Sequence, residues 1–485
     1  TGQYQGGSAR IGFAADCGKT AIHLSQSYRE ESKRIKELSI YNYYSENISL
    51  PISDMITGRK IGKYLKLLRR SQFWSAEKLR EFQNARLREL IDHTYVNVPF
   101  YRDILDRSGI TPKDIQRVED LQKLPILSKN DIREGIRSRS LLDGSAKLKN
   151  LERNNSSGST GEPLQFFLDW RTSSIRKATA IRCWEWMDFR LGDKILRISQ
   201  IPRKGLIKKL QDMSSRTIYV MANRLNEDEF KNIVKILNAT RPKILRCYPE
   251  PLYLLAKYIE QSNARVHQVA AINTTGSTLL PEYRELIEKT FRCRIYDSFS
   301  CEGGAVAFEC PESNTYHASD EYAVTEVVDS QGNPSKMGRL VTTDLWNYAT
   351  PFIRYDTQDV VELSDQKCSC GRELLHIKRI YGRSSDILVT PGGQYLTVNN
   401  FTGLFQNLPS VDQFQILQKS PDEITVLIKA NGCYDLTVQS QVIGIMKSVI
   451  KEDLKLKIEP VDDIPLTPNG KRRFLIRDAS ISLNL

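Results

Sequence analysis

The sequence predicts an α/β protein: a large N-terminal domain of mixed sheets with flanking helices, followed by a small α+β domain. Two patterns and the length carry this. From Lys194 to Ser298 short β-branched runs alternate with helical periods, the signature of strands joined by helical crossovers. Over the last ~100 residues the order changes to two strands, a helix and a further strand, which reads as a separate unit. The chain has 485 residues, enough for more than one domain with a large buried core. The domains are expected over 1–381 and 382–485, with a hinge at 382–387.

Residues 1–45 are small and polar at the start and are expected to be partly disordered. The stretch Arg59–Arg70 is amphipathic: Ile61, Leu65 and Leu68 share one helical face, with basic residues largely opposite. Two readings stay open for it, a helix packed on the domain with a solvated basic face, and peripheral contact with an anionic membrane. A second helix is expected from Leu79 through Ile91, ending before Pro99. Ser128-Lys129-Asn130-Asp131 reads as a capping box opening a short helix. Beyond residue 164, strands are expected at Leu164–Leu168, Lys194–Ser199, Lys243–Cys247, Val269–Thr274 and Arg294–Ser298. Helices are expected at Glu227–Asn238, Pro251–Gln261 and Pro281–Phe291. In the tail, Phe414–Gln418, Ile424–Ala430 and Leu456–Glu459 read as strands. Leu436–Ile450 reads as a helix with Val438, Val442, Ile445 and Val449 on one face.

Composition narrows the class. No apolar run reaches the ~18 residues that span a bilayer, and no signal-peptide pattern opens the chain, so a cytoplasmic protein is expected. Nine cysteines in a long chain fit reduced thiols better than a disulfide framework. The net charge of +12 is spread along the chain without a zinc-finger, RNA-recognition or helix-turn-helix pattern. General surface charge, helped by attraction of a polyphosphate substrate, accounts for it better than nucleic acid, which is not expected as a partner.

The stretch with the most chemistry is Ser156-Ser157-Gly158-Ser159-Thr160-Gly161-Glu162-Pro163. Hydroxyls and backbone N–H groups around two glycines can hold phosphate oxygens. It is not a Walker A loop, because no Gly-Lys-Ser/Thr closes it. Four stretches follow in order: Thr274-Thr275-Gly276 with Tyr296–Gly304, then Leu340–Leu345 with Pro351–Asp359, then Gly382–Asp386, then Pro465–Arg473. With Val98–Arg102 and Leu124–Lys129 ahead of the loop, this order resembles the acyl-adenylate-forming superfamily. The nearest branch is the phenylacetate–CoA ligase-like group, which includes the CapK-type proteins of capsular polysaccharide loci. The resemblance covers roughly Trp74 to Ala479.

That resemblance implies a large adenylate-forming domain and a small mobile C-terminal domain. It makes Ser156, Ser157, Gly158, Ser159, Thr160 and Gly161 the loop around the ATP β- and γ-phosphates. Thr275, Gly276, Asp297, Ser298 and Phe299 would flank adenine and the acyl group, and Glu302 would bind Mg²⁺ in the catalytic centre. Asp359 would accept hydrogen bonds from both ribose hydroxyls, which suits the two oxygens of a carboxylate. Arg383 would reach the nucleotide, Asp386 would be the hinge, and Lys471 would be the mobile catalytic lysine. Three departures stand out: Phe299 where a Tyr is usual, with the spacing to Glu302 one residue short; Ser277 where Glu is frequent; and Gln358 where Gly is usual.

Cys310, His317, Cys368 and Cys370 make a tetrahedral zinc set by type and number, and some members of the resembled branch carry a metal here. Reduced, unliganded thiols are the other reading. The expected activity is ATP-dependent activation of a small-molecule carboxylate as an acyl-adenylate, followed by transfer to CoA or to an amine acceptor. The alternatives are a catalytically impaired adenylate-binding or scaffold protein and a basic membrane-surface or nucleic-acid-binding protein. Residues around Arg246–Tyr253, Thr274–Gly276 and Asp297–Phe299 are the candidate acyl pocket; their mixed composition identifies neither acid nor acceptor.

Overall fold

The structure, a computed structural model, describes residues 40–155, 164–199, 205, 212–222, 226–304, 306–392, 394–396, 398–401, 404–405, 408–432, 434–465, 473–478 and 480–481. Its first element, α1 (Ile40–Tyr44), runs through a wider turn (Ser45–Ser49) into α2 (Leu50–Thr57). An ordered helix therefore reaches into the stretch 1–45 where disorder is expected; residues 1–39 lie outside the described residues.

Next come α3 (Ile61–Ser71), α4 (Ala76–Asn97), α5 (Pro99–Arg107) and α6 (Lys129–Arg137). In α3 the buried residues are Ile61, Tyr64, Leu65, Leu68 and Ser71, and Tyr64 meets Trp346 edge-to-face at 5.1 Å. Its apolar face is thus used inside the protein, at ~1.5–3 kcal/mol per fully buried large side chain. That corrects the membrane reading of this helix. α4 begins at a Ser75 cap, whose side chain accepts from Lys78 N, and it extends one further turn and more beyond Ile91 to Asn97. The Ser128 capping box forms as the spacing predicts.

The strands β1 (Glu152–Asn155) and β2 (Gln165–Leu168) pair antiparallel, and α7 (Trp170–Glu185) follows. Then β3 (Ile195–Ser199), β4 (Thr217–Met221), α8 (Glu227–Thr240), β5 (Ile244–Cys247), α9 (Pro249–Ser262), β6 (Ala271–Thr275), α10 (Pro281–Phe291) and β7 (Ile295–Ser300) alternate. Six antiparallel strands complete the sheet: β8 (Val306–Glu309), β9 (Tyr316–Ala318), β10 (Ala323–Val328), β11 (Met337–Asp344), β12 (Tyr355–Leu363) and β13 (His376–Arg383). The eleven-stranded sheet has the order β10-β11-β12-β13-β9-β8-β7-β6-β5-β3-β4. It is parallel from β4 to β7 and antiparallel from β7 onward. On one face Leu196, Leu245, Ile272 and Ile295 pack with residues of α8, α9 and α10; on the other, Trp186 and neighbouring residues near the end of α7 form a second cluster.

Beyond β13 lie a short pair, β14 (Leu388–Val389) with β15 (Tyr395–Leu396), and a four-stranded sheet. That sheet comprises β16 (Val411–Ser420), β17 (Glu423–Ala430), β18 (Lys455–Pro460) and β19 (Leu475–Arg477), in the order β18-β17-β16-β19, with α11 (Leu436–Ile450) packed on it. The fully buried face of α11 is Val438, Val442, Met446 and Ile450, with Ile445 and Val449 at its edge. A 3.6-residue period makes that small rotation hard to read from short windows. Among the described residues no helix is long and apolar enough to cross a membrane, and the described cysteines are all free thiols.

Candidate functional site

The sheet changes from parallel to antiparallel at β7, and a cleft of ≈ 850 Å³ opens there. The ends of parallel strands at such a change of direction are where α/β folds bind ligands. One wall is Gly276 after β6 with Asp297, Ser298, Phe299 and Glu302 on and after β7; the other is Asp359 and Arg383. Asp359 and Arg383 are far apart in sequence, yet they are direct register partners across β12 and β13. Thr275 is the register partner of Ser298 and stands directly before Gly276, without lining the cleft.

Two backbone features hold these walls. Gln358, where Gly is usual, has φ of 64°, a left-handed conformation that explains the usual glycine; its N–H donates to Asp356 Oδ1 at 2.8 Å. After Glu302, the chain passes so close to β11 and β12 that a Cβ on Gly303 would run into Thr342 and Tyr355. The shortened spacing from Phe299 to Glu302 thus ends in a turn that keeps Glu302 in the cleft.

Buried carboxylates line the site. Asp297 accepts from Thr274 Oγ1 at 2.6 Å and from Tyr316 Oη at 2.9 Å. Glu309 accepts from Asp297 N at 2.9 Å and pairs with Arg284 at 2.7 Å. Burial pushes Asp297 up to about 6 and Glu309 up to about 7, against the lowering effect of their hydrogen bonds and Arg284. Burial also raises Asp359 to about 6, offset in part by Arg383. Around these acids the rim is basic, with Lys378, Arg379, Arg383 and Arg473. A basic rim attracts polyphosphates.

The sign of one pH effect follows. A raised carboxyl loses its charge as pH falls through about 6, so an Asp359 that must accept two hydrogen bonds is impaired there. AMP affinity is expected to weaken up to ~10-fold between pH 7 and 5, as ionisation falls from about 90% to about 10%. Asp359→Asn should bind more weakly at pH 7 and show a flatter profile. Equal wild-type affinity at both pH values, measured by calorimetry, would remove Asp359 from the ribose role.

Residues 156–163, with the candidate phosphate loop, and Lys471 lie outside the described residues. Their supports do not. The loop is bracketed by the register pair Asn155↔Gln165. Phe166 packs on Phe352 at 5.4 Å, and Phe167 N donates to Thr350 Oγ1 at 3.1 Å, tying the hairpin to the chain that enters β12. Near Lys471, Arg473 donates through Nε to Asp386 Oδ1 at 3.2 Å and through Nη2 to Ser385 Oγ at 3.0 Å.

Cys310, His317, Cys368 and Cys370 converge, with all four ligand atoms within 4.8 Å of one another. Cys310 Sγ lies 3.4 Å from Cys368 Sγ, and Cys370 Sγ 3.2 Å from His317 Nε2. His317 Nδ1 faces the Leu374 carbonyl at 3.3 Å, which orients Nε2 toward the thiols.

Residues 388–478 match the CapK C-terminal domain family. The chain is 26% identical over 410 residues to Protein CapK of Staphylococcus aureus, covering 82% of this chain and 89% of that protein. Over most of its length the chain is thus similar to the CapK and phenylacetate–CoA ligase-like branch of the acyl-adenylate-forming superfamily. Phenylacetate–coenzyme A ligase of Thermus thermophilus is 27% identical over 335 residues, 65% of this chain and 73% of that enzyme. The adenylate-forming fold is shared with 2-hydroxyisobutyryl-CoA ligase in its postadenylation state, with a TM-score of 0.68 at 18% identity over 85% of this chain and 92% of the other. The open conformation of that ligase aligns with a TM-score of 0.57.

Within this adenylate-forming fold, the cleft joins Gly276, Asp297, Ser298, Phe299, Glu302, Asp359, Arg383 and Asp386, all anticipated from the motifs. Sequence reasoning missed Tyr316, Glu309 and Arg284. Their only local signal is adjacency, Glu309 preceding Cys310 and Tyr316 preceding His317. It also read Lys129 as part of a capping box and of the family-like stretch Leu124–Lys129, not as a site residue, although the Lys129 ammonium is close enough to Glu302 and Arg383 to feel both charges.

Proposed function

We propose that this protein activates a carboxylate with MgATP as an acyl-adenylate and passes the acyl group to CoA or to an amine. The observation that carries the reading is the single cleft in which Asp359 and Arg383 face Gly276, Ser298 and Glu302. Asp359 holds the ribose hydroxyls, and Arg383 lies beside them. Residues 156–161 take the leaving pyrophosphate through hydroxyl and N–H donors. Lys471 neutralises charge between the carboxylate and the α-phosphate. The attack is an in-line displacement, governed by positioning and charge stabilisation. Glu302 would supply a hard carboxylate to hold magnesium, which would supply charge neutralisation at the ATP phosphates. Gly382–Asp386 is the hinge between domains 1–381 and 382–485, and rotation there withdraws Lys471 before acyl transfer. A role in capsular polysaccharide assembly fits the CapK relative and makes an amine acceptor as reasonable as CoA.

The test is ATP–pyrophosphate exchange across a panel of carboxylates, repeated as product formation with and without CoA. Exchange with no acid, in protein that binds AMP, would favour the catalytically impaired adenylate binder.

The Cys310–His317–Cys368–Cys370 cluster fits a structural zinc ion by donor type, count and the His317–Leu374 orientation. We expect one zinc per chain by elemental analysis, and a lower melting temperature after chelation or in Cys370→Ser. Protein purified without chelator that contains no zinc would reject the site.

A further inference from the structure

A row of polar side chains crosses the parallel half of the sheet in register: Tyr219 on β4, Arg197 on β3, Arg246 on β5, Asn273 on β6 and Tyr296 on β7. Register partners stand on the same face. Their neighbours Leu196, Leu245, Ile272 and Ile295 point into the core on the opposite face. Two guanidinium groups are therefore adjacent, on strands ~4.8 Å apart, and both are half-buried.

Nothing among the described residues neutralises them. The charges that act on Arg246 are Arg197 and the Tyr248 phenol, and neither arginine has a carboxylate partner. Arg246 lies over the Trp184 ring at 5.0 Å and Arg197 over Tyr219 at 5.8 Å, contacts that leave hydrogen-bond donors over. Arg246 Nε is buried without a hydrogen-bond partner, and so is Asn273 Oδ1 on the next strand. Burial and then Arg197 push the Arg246 guanidinium down to about 9. Residues 200–211, which follow β3, contain Arg203, Lys204, Lys208 and Lys209 and no Asp or Glu. Two like charges side by side, with Arg246 desolvated, are costly unless an anion joins them.

Sheet order says which anion. Asp359 and Arg383, the nucleotide side, lie on β12 and β13, beyond β9 and β8 from the reaction centre at Gly276 and Ser298. Arg246 and Arg197 lie beyond β6 in the other direction. Asn273 Nδ2 reaches Ser298 Oγ at 3.2 Å, and by strand spacing and rise the Arg246 and Arg197 backbones stand ~11–16 Å from the centre, a gap that their long side chains and a short acyl chain span. A ligand that extends from the centre away from the nucleotide is the acyl group.

We infer that Arg197 and Arg246 bind a second carboxylate on the acid being activated, which makes the substrate a dicarboxylic acid. This rests on the adenylation reading above. Paired guanidinium groups match carboxylate geometry, and Asn273 Oδ1 remains to accept from a hydroxyl or amine on the same substrate.

The test compares butyrate with succinate, pentanoate with glutarate and hexanoate with adipate in pyrophosphate exchange on the full chain. The expected kcat/KM is ~10–100-fold higher for the diacid of at least one pair. Arg246→Met and Arg197→Met should each erase that preference while AMP affinity and melting temperature stay near wild type; Arg246→Lys should keep part of it. Equal use of mono- and diacids overturns the inference. So does a variant that raises KM for ATP or CoA and leaves the acid preference intact, which would give the pair to a phosphate. Failure of exchange with every acid refutes adenylation instead. Calorimetry of glutarate without ATP then decides: binding to wild type and not to Arg246→Met supports the pair, and no binding to wild type overturns it.

Discussion

Replacing Lys471 with alanine is expected to slow ATP-dependent pyrophosphate release by ~10²–10³-fold, the usual cost of removing one preorganised charge from a developing transition state. Arg473, two residues on, is anchored to Asp386 and Ser385. β19 then ties the segment to β16 in parallel register. The described chain that follows Lys471 is therefore anchored to Asp386, the proposed hinge residue. AMP affinity and melting temperature should not change, because in the proposed mechanism the ribose is held by Asp359 and not by Lys471. Wild-type pyrophosphate release in Lys471→Ala would remove the lysine from the first half-reaction.

Arg182→Met is expected to destabilise the large domain by ~3–5 kcal/mol, the cost of leaving one member of a buried ion pair alone. Arg182 on α7 and Glu321 are both 0% exposed, 3.6 Å apart. Ser71 Oγ donates to Glu321 Oε1 at 2.7 Å, and Arg182 Nη2 donates to Ser319 Oγ at 2.9 Å. Trp186 lies 4.9 Å from the guanidinium carbon. The pair thus joins α3, α7 and the segment before β10. The double variant Arg182→Met/Glu321→Gln should recover a large share of the loss, since no uncompensated charge remains. Urea unfolding followed by tryptophan fluorescence measures both. Additive losses in the double variant would mean that the two charges do not stabilise each other.

Local patterns were enough for seven of the helices and for β2, β3, β5, β6, β7, β16, β17 and β18, but α1, α2, α5, α7, β1, β4, β8–β13, β14, β15 and β19 carried no expectation. Pro281–Phe291 and Leu436–Ile450 match their expected spans, and the other expected elements differ mainly by a few residues at their ends. Strand order was another matter. That β13 lies between β12 and β9 depends on crossovers that a window of ten residues does not contain. Asp359 and Arg383 were nonetheless legible, because motif order stands in for that topology. Tyr316, Glu309 and Arg284 were not, since their link to Asp297 exists only once β8 and β9 fold against β7. Arg197 and Arg246 look like ordinary basic residues in apolar runs until register sets them side by side. The amphipathic Arg59–Arg70 shows the opposite limit: periodicity finds an apolar face and cannot say what covers it.

The hairpin of β8 and β9 carries two sets of groups in alternation. Glu309 and Tyr316 face the cleft, while their successors Cys310 and His317 belong to the thiol–imidazole cluster. Any metal bound by the cluster and any nucleotide bound in the cleft therefore act on the same short piece of backbone. Thermodynamic linkage makes such an influence mutual: if metal tightens nucleotide by some factor, nucleotide must tighten metal by the same factor. Titrating zinc affinity with AMP present and absent would read that coupling at the thiol–imidazole cluster itself.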